Sequence, residues 1–96
     1  LALLRASATR REDAYDFLDT ARRIAENASI EGVRILGPVS APMERKAGRF
    51  RAQLLLQSRH RQSLHQLLAI LRETLEAAKE ARRVRWSIDV DPIELF

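Results

Sequence analysis

Residues 47–68 read AGRFRAQLLLQSRHRQSLHQLL, and the spacing of their apolar side chains changes halfway along. From residue 49 to residue 57, apolar side chains largely alternate with polar ones, a period of two that predicts a strand with one buried face. The inward positions would be Phe50, Ala52, Leu54 and Leu56, and the outward ones Arg49, Arg51, Gln53, Leu55 and Gln57. This stretch is therefore expected to begin as a half-buried strand.

A helix is predicted to follow, because leucines recur at intervals of three and four residues from residue 64 onward. Ser58 is suited to cap its first turn, since a serine hydroxyl accepts a hydrogen bond from a free backbone N–H. The apolar stripe of this helix would consist of Leu64, Leu67, Leu68, Leu71, Leu75 and Ala78. The chain thus passes from a strand directly into an amphipathic helix.

The first third of the chain also places a strand before a helix. Residues 1–6 are predicted to form a short strand, and residues 10–28 an amphipathic helix. Thr9 and Glu12 have the spacing of a capping box, in which each side chain satisfies the other's free backbone N–H. The inward face of the helix would consist of Ala14, Phe17, Leu18, Ala21, Ile24 and Ala28.

Prolines and glycines punctuate the middle of the chain. A second strand is expected from Val33 to Val39, and Gly37-Pro38 and Ala41-Pro42 are expected to break it and begin a long loop to Gly48. A final strand would place Val84, Trp86, Ile88 and Val90 inward and Arg83, Arg85, Ser87 and Asp89 outward, with Pro92 ending it.

The predicted order is β-α-β-β-α-β, the split pattern of the ferredoxin-like α+β fold. Right-handed crossovers would place both helices on one face of a four-stranded antiparallel sheet. The other face would stay open, and its exposed side chains would include Arg49, Arg51, Gln53, Arg83 and Arg85.

Length and composition fit a single domain. A chain of 96 residues builds one core, and 46% hydrophobic with 31% charged residues is typical of a globular protein. No apolar run approaches the ~18 residues that cross a bilayer. The chain has no cysteine, which excludes disulfides and cysteine zinc sites and favours the cytoplasm. Because it begins at Leu1 rather than methionine, we expect residues 1–96 to be one monomeric domain of a longer protein.

Positive charge is distributed unevenly. The net charge is +4, but between Arg45 and Arg72 there are seven arginines or lysines and no acidic residue. Such asymmetry favours an anionic partner, whether nucleic acid, an acidic peptide or an acidic protein surface. A solvated face without a partner is the simpler alternative.

Motifs for catalysis are not apparent. The chain has neither the P-loop spacing nor a nucleophile elbow, and it contains only three glycines. His60 and His65 are five residues apart, whereas helical metal ligands are typically four apart on one face. The sequence therefore predicts no catalytic residue and no metal site.

Basic residues cluster at the start of the second helix. Arg59, His60 and Arg61 lie where the helix dipole is positive, and each exposed cation there costs about 0.3–1 kcal/mol. Arginines beside free N–H groups make a site for phosphate or carboxylate. The alternative is that Ser58 caps the turn and the arginines extend into water.

The open face of the sheet offers a second basic surface. Arg49 and Arg51 are suited to phosphate contacts, which give affinity with little sequence reading. Base stacking of the kind found in RNA-recognition modules needs aromatic residues on exposed strands. Phe50 and Trp86 are instead in phase with the inward residues, so both are expected in the core.

Four stretches of the chain resemble one family: LGPV (36–39), APMERKAGRFR (41–51), QLLLQ (53–57) and VRWSIDVDP (84–92). In order and at compatible spacing, they are similar to the C-terminal domain of the bacterial replication-restart helicase, primosomal protein N′ (PriA). The combination of the glycine-proline pair, the arginine-aromatic-arginine strand and the closing DVDP carries the resemblance.

The resemblance implies a fold similar to ribosomal protein S10 and a role in binding branched and single-stranded DNA. It also implies that the domain, together with the helicase core, forms a pocket for the acidic, phenylalanine-ending tail of single-stranded DNA-binding protein (SSB). ATP and zinc would bind only upstream in an ATP-dependent 3′–5′ helicase, so no cofactor is expected in this domain.

Carried over by position, the residues that meet the SSB tail correspond to Arg61 and His65. The family has glutamine where this chain has His65, although imidazole also donates a hydrogen bond. Many relatives carry an aromatic residue where this chain has Ala52. The residues predicted to bind DNA are Arg45, Lys46, Arg49, Arg51 and Arg85.

Two alternatives remain open. The domain could instead be a structural module that docks on the helicase core, with its basic patch against an acidic surface of that core and no nucleic acid bound. A ribosomal component with an S10-like fold would also fit the element order, but it leaves the DVDP ending unexplained.

Overall fold

A computed structural model of the chain describes residues 1–91. The elements are β1 (Ala2–Ala8), α1 (Arg11–Ala28), β2 (Val33–Lys46), β3 (Arg49–Ser58), α2 (Arg61–Ala77) and β4 (Arg85–Val90), with a 3₁₀ turn at Lys79–Arg83 before β4. Pro92, expected to end the last strand, lies outside the described residues.

The strands form one antiparallel sheet in the order β2-β3-β1-β4. This order results when each of two β-α-β units places its strands apart and the other unit inserts a strand between them. The α+β, ferredoxin-like fold predicted from the sequence is therefore confirmed.

The core lies between the helices and one face of the sheet. Its strand side is Ala2, Leu4, Ala6, Ala52, Leu54 and Leu56, and its helix side includes Phe17, Leu18, Leu67, Leu71 and Leu75. The Phe17 and Trp86 rings meet at a centroid distance of 5.6 Å. Trp86 thus packs beneath a helix, as the spacing of the last strand predicts.

The second strand is twice as long as predicted. β2 continues to Lys46, and the expected loop is reduced to a two-residue turn at Ala47 and Gly48, with φ of 54° and 77°. Two positive φ values suit the tight turn of a hairpin. The proline pairs do not end the strand because β2 lies at the edge of the sheet, and Pro38 and Pro42 both fall where the β2–β3 register is interrupted, so their missing N–H groups remove no bond of the regular ladder.

The first of these pairs instead produces an irregularity. The register between β2 and β3 shifts between Leu36 and Val39. Gly37 has φ of +105°, and a Cβ there would lie 3.1 Å from the Gln53 carbonyl oxygen, so this position requires glycine. Arg22 of α1 donates hydrogen bonds to the carbonyls of Ile35 and Gly37 and supports the irregular segment.

Both helix starts differ from the sequence prediction. Because β1 extends to Ala8, α1 begins after Arg10, and the Thr9–Glu12 capping box does not form. β3 likewise extends through Ser58, so His60 occupies the N-cap position of α2. Neither N-cap side chain makes a capping hydrogen bond. Ser58 accepts a hydrogen bond from the His60 N–H at 3.1 Å, so it orders the approach to the helix rather than its first turn.

Four further residues differ from the sequence prediction in position or in burial. Arg83 lies in the 3₁₀ turn, so it is not part of the open sheet face. Val90 was expected inward, but it is 44% exposed near the end of the sheet. Phe50 faces the helix side, yet it is only partly buried and lies outside the main core cluster. Helix α2 ends at Ala77, so Ala78 is its C-cap rather than its last apolar position.

Candidate functional site: two basic surfaces

The open face carries a row of basic side chains at one end of the sheet. Residues directly opposite each other on paired strands share a face. Ser7 of β1 lies opposite Arg51 on one side and Arg85 on the other, and Arg49 lies opposite Lys46 of β2. We call Lys46, Arg49, Arg51 and Arg85 the tip surface.

A shallow cavity lies within this region of the open face. Its volume is 240 Å³, and its polar lining consists of Arg5, Ser7, Arg51, Gln53, Arg85 and Ser87. Guanidinium, hydroxyl and amide groups all donate hydrogen bonds. The cavity therefore presents several donors to an anion or to a sugar-phosphate backbone.

Hydrogen bonds within the protein orient two arginines of the tip surface, Arg49 and Arg51. Arg49 donates to the Ser7 carbonyl oxygen at 2.9 Å and to the Ser7 Oγ at 3.3 Å, while Arg51 makes a longer bond to the Met43 carbonyl oxygen at 3.4 Å. A guanidinium has five N–H groups, so each arginine keeps donors for a ligand. Arg5, behind the tip surface, pairs with Asp89 across β1 and β4.

Arg45 is separated from the other predicted DNA contacts. It lies opposite Phe50, and its guanidinium carbon is 5.2 Å from the centre of that ring. Because Phe50 is on the helix side of the sheet, Arg45 faces that side too. The five predicted DNA residues are thus divided, four on the open face and one behind it.

The hairpin that carries Lys46 is held against the first helix. Arg11 donates a 2.7 Å hydrogen bond to Glu44 and lies 4.6 Å from the centre of the Tyr15 ring, and Tyr15 shares a 2.7 Å hydrogen bond with Ser40. The Arg11 hydrogen bond, with a smaller effect from Ser40, holds the pKa of Glu44 below its usual value. The same hydrogen bond raises the pKa of Arg11. We call Arg11, Tyr15, Ser40 and Glu44 the hairpin clamp.

A second basic surface lies at the start of α2. Arg61 and His65 are one helical turn apart and line a cavity of 190 Å³ together with Arg59 and the buried Leu64. A neighbouring cavity of 590 Å³ is lined by Arg34, Arg59 and His60 and by apolar atoms of Val33. We call Arg34, Arg59, His60, Arg61 and His65 the helix-end surface.

The helix-end surface has little internal neutralisation. Within residues 1–91, no ion pair involves Arg34, Arg59 or Arg61. Both of its histidines and all three arginines are exposed. Asp91 is the one carboxylate among the described residues that line the smaller cavity. The surface thus presents exposed cations to solvent.

Sequence reasoning identified Arg59, His60, Arg61 and His65 but missed Arg34. Arg34 lies opposite Gln57 in the β2–β3 register, which brings it beside the α2 start. The signal was indirect: only the pairing of a separate strand makes Arg34 a neighbour of Arg59. Charge along the sequence could not show it.

An apolar row crosses the rest of the open face. Leu36, Leu55 and Leu3 lie opposite one another on β2, β3 and β1. Leu3 is 1% exposed, whereas Leu36 is 40% exposed at the sheet edge, with Val39 at 52% further along β2. The open face is therefore cationic at the tip and apolar across its middle, and Arg34, opposite Gln57, lies beyond the apolar row.

Residues 1–91 contain no cluster of three or more histidine, cysteine or acidic side chains that could hold a metal ion. None of their helices is both long and apolar enough to span a membrane.

Known proteins share sequence with almost the whole of this chain. The family described as primosomal protein N C-terminal domain matches residues 1–93. The replication restart protein PriA of Haemophilus influenzae is 38% identical over 95 residues, covering 98% of this chain and 13% of that protein. The chain therefore spans about an eighth of the length of this curated relative.

Structural similarity extends to a designed protein. The de novo protein Foldit4 superposes with a TM-score of 0.64 at 9% sequence identity, covering 95% of this chain and 96% of the designed one. At that identity the likeness concerns the fold alone. The family match and the 38% identity carry the assignment, and this chain belongs to the primosomal protein N C-terminal domain family.

Proposed function

We propose that this chain is the non-catalytic C-terminal domain of a cytoplasmic replication-restart helicase. In this proposal the domain binds single-stranded or forked DNA through the tip surface and contributes to the site for the SSB tail through the helix-end surface. The upstream parts of the parent enzyme supply ATP hydrolysis and the zinc site. Family membership and the two basic surfaces support this proposal.

The observation that carries the DNA-binding role is the alignment of four cations on one face. Lys46, Arg49, Arg51 and Arg85 come from three strands yet face the same side of the sheet at the same end. A phosphate backbone that crosses the strands would meet them in turn. Phe50 and Trp86, the aromatic residues of the described strands, belong to the helix side. Binding is therefore expected to depend on phosphates and salt rather than on base identity.

Fluorescence anisotropy of a labelled single strand, titrated with this chain at two salt concentrations, tests the DNA role. We expect the double variant Arg49→Ala/Arg51→Ala to bind more weakly and with a salt slope that is lower by about 1.4, since each lost single-strand phosphate contact removes about 0.7. Arg72→Ala/Arg82→Ala removes the same charge from exposed positions outside the open face and is the matched control. Equal weakening in the two double variants would reject the tip surface.

The SSB-tail role rests on Arg61 and His65. A carboxylate accepts charge-assisted hydrogen bonds from arginine, and His65 presents an imidazole to the same cavity. In the full-length helicase, we expect Arg61→Ala to lower the affinity for a labelled acidic peptide that ends in phenylalanine. Retention of wild-type affinity in this variant would reject the assignment.

A docking role without DNA is the second candidate, and the exposed apolar side chains of β2 favour it. Leu36, Val39 and Met43 are each at least 40% exposed on an edge strand, where a partner surface would cover them. The two roles separate in one experiment. If the chain binds no single strand at low salt, and Leu36→Ser/Val39→Ser weakens its association with the remainder of the helicase, then docking is the function.

A further inference from the structure

We infer that the peptide site at the helix end is longer than the pair Arg61 and His65, and that Arg59 and Arg34 bind acidic residues preceding the peptide's last residue. This inference rests on the proposed SSB-tail role and extends it to a further element, β2. The occupant is an extended acidic peptide whose terminal carboxylate lies at Arg61.

The two cavities form one path along the surface. Ser58 and Arg59 line both cavities, so the space beside Arg61 and His65 continues toward Arg34. Arg34 lies opposite Gln57, and only four residues separate Gln57 from Arg61. One strand spacing plus four residues gives a span of at most about 19 Å. An extended peptide of about five or six residues covers that span.

Charge along the path points to an acidic ligand. Three arginines from three separate parts of the fold line it, and none has an ion-pair partner in the described chain. Asp91 is the one carboxylate of the described residues that lines the path, and it pairs with the Leu1 amino group, so the three arginines repel one another in the unbound protein. Carboxylates spaced along a peptide would relieve this repulsion.

Apolar atoms along the same path favour a peptide over a nucleic acid strand. Val33 lines the larger cavity, and Val90, which is 44% exposed, lines the smaller one. Apolar peptide side chains gain from contact with these residues, whereas a sugar-phosphate backbone gains mainly from the charges.

Two labelled peptides titrated into the full-length helicase test the inference. Both end in phenylalanine, and they differ only in whether the preceding residues are aspartate or asparagine. We expect Arg34→Ala and Arg59→Ala each to lower the affinity for the acidic peptide by about two- to five-fold, the range for one exposed charge pair. Neither variant should change the affinity for the neutral peptide. Arg72→Ala, an exposed arginine further along α2, is the control and should change neither.

The outcomes separate the inference from the proposal beneath it. If Arg61→Ala lowers the affinity for the acidic peptide but Arg34→Ala and Arg59→Ala do not, the longer path is rejected and the tail site stands. If Arg61→Ala has no effect, the tail site itself is rejected. If Arg34→Ala and Arg59→Ala weaken a labelled single strand instead of the peptide, the occupant is nucleic acid and the inference is overturned.

Discussion

The tip surface and the helix-end surface lie at opposite ends of β3, about 30 Å apart for a ten-residue strand. Both are basic, but their arginines are held differently. At the tip, Arg49 and Arg51 donate hydrogen bonds to the protein itself. At the helix end, the side chains of Arg59 and Arg61 make neither a hydrogen bond nor an ion pair within residues 1–91.

This difference separates two uses of the same residue type. An arginine that is hydrogen-bonded within the fold contributes to stability and keeps a fixed orientation toward a ligand. A cation in the first turn of a helix opposes the helix dipole, so it contributes to binding at some cost in stability. Among the described residues, neither surface has an internal counter-charge for its arginines, but Arg49 and Arg51 at the tip are oriented by hydrogen bonds, whereas Arg59 and Arg61 at the helix end are not.

The largest expected effect comes from a core substitution in the middle of β3, between the two surfaces. Leu54 lies at the middle of β3, is fully buried and packs in the core. We expect Leu54→Ala to lower the free energy of unfolding by about 2–5 kcal/mol, because it removes buried methyl groups and leaves a cavity. Urea denaturation followed by circular dichroism measures the change.

Leu55→Ala is the matched control for that substitution. Leu55 is the next residue on the same strand but lies on the open face and is only partly buried. A smaller loss than for Leu54→Ala is expected because less apolar area returns to water. Equal losses would mean that the open face is buried as deeply as the core, contrary to this structure.

Sequence alone predicted the fold where local and tertiary preferences agree. The strand and helix within residues 47–68 have strong and distinct periods, and Trp86 falls in phase with its strand. The full length of β2 was not predictable, since its proline pairs indicate breaks. Arg22, which supplies hydrogen bonds to this segment from α1, is a tertiary partner that no local pattern reveals.

The two basic surfaces were predictable to different degrees. The alternation in β3 was enough to place Arg49 and Arg51 on the open face. Arg45 and Lys46 are adjacent in sequence, and only the register of the hairpin shows that they face opposite sides. The position of Arg34 beside Arg59 likewise follows only from the pairing of β2 with β3. In each case the missing information was strand pairing, which depends on contacts remote in the sequence.

Comparing one arginine from each end gives the second prediction. Arg49→Ala removes hydrogen bonds to Ser7 and should lower the free energy of unfolding by about 0.5–1.5 kcal/mol. Arg61→Ala removes a cation from the first turn of α2, so it should leave stability unchanged or raise it by up to about 1 kcal/mol. Urea midpoints of the two variants measure both. A larger loss for Arg61→Ala would contradict the contrast between the two surfaces.

The third prediction sharpens the tip surface itself. Lys46 lies opposite Arg49 on the open face, whereas Arg45 lies over Phe50 on the helix side. Lys46→Ala should therefore lower the salt slope of single-strand binding by about 0.7, and Arg45→Ala should leave it unchanged. The two variants remove the same charge from adjacent residues, so each controls for the other. If both slopes fall equally, DNA binding depends on the charge of the hairpin rather than on the open face.

The smallest expected effect concerns the hairpin clamp. The pKa of Glu44 is lowered in the folded protein, chiefly by the Arg11 hydrogen bond, so its ionised form stabilises the fold. That contribution is present above the ordinary value of 4.5 and is lost as the pH falls through the lower folded pKa. Glu44→Gln should therefore lower Tm slightly at pH 7, and the gap from wild type should close in acid. Glu31→Gln removes the same charge from an exposed residue outside the clamp and is the matched control. A Tm difference between Glu44→Gln and wild type that is constant with pH would mean that Tyr15 and Ser40 hold the hairpin without the ion pair.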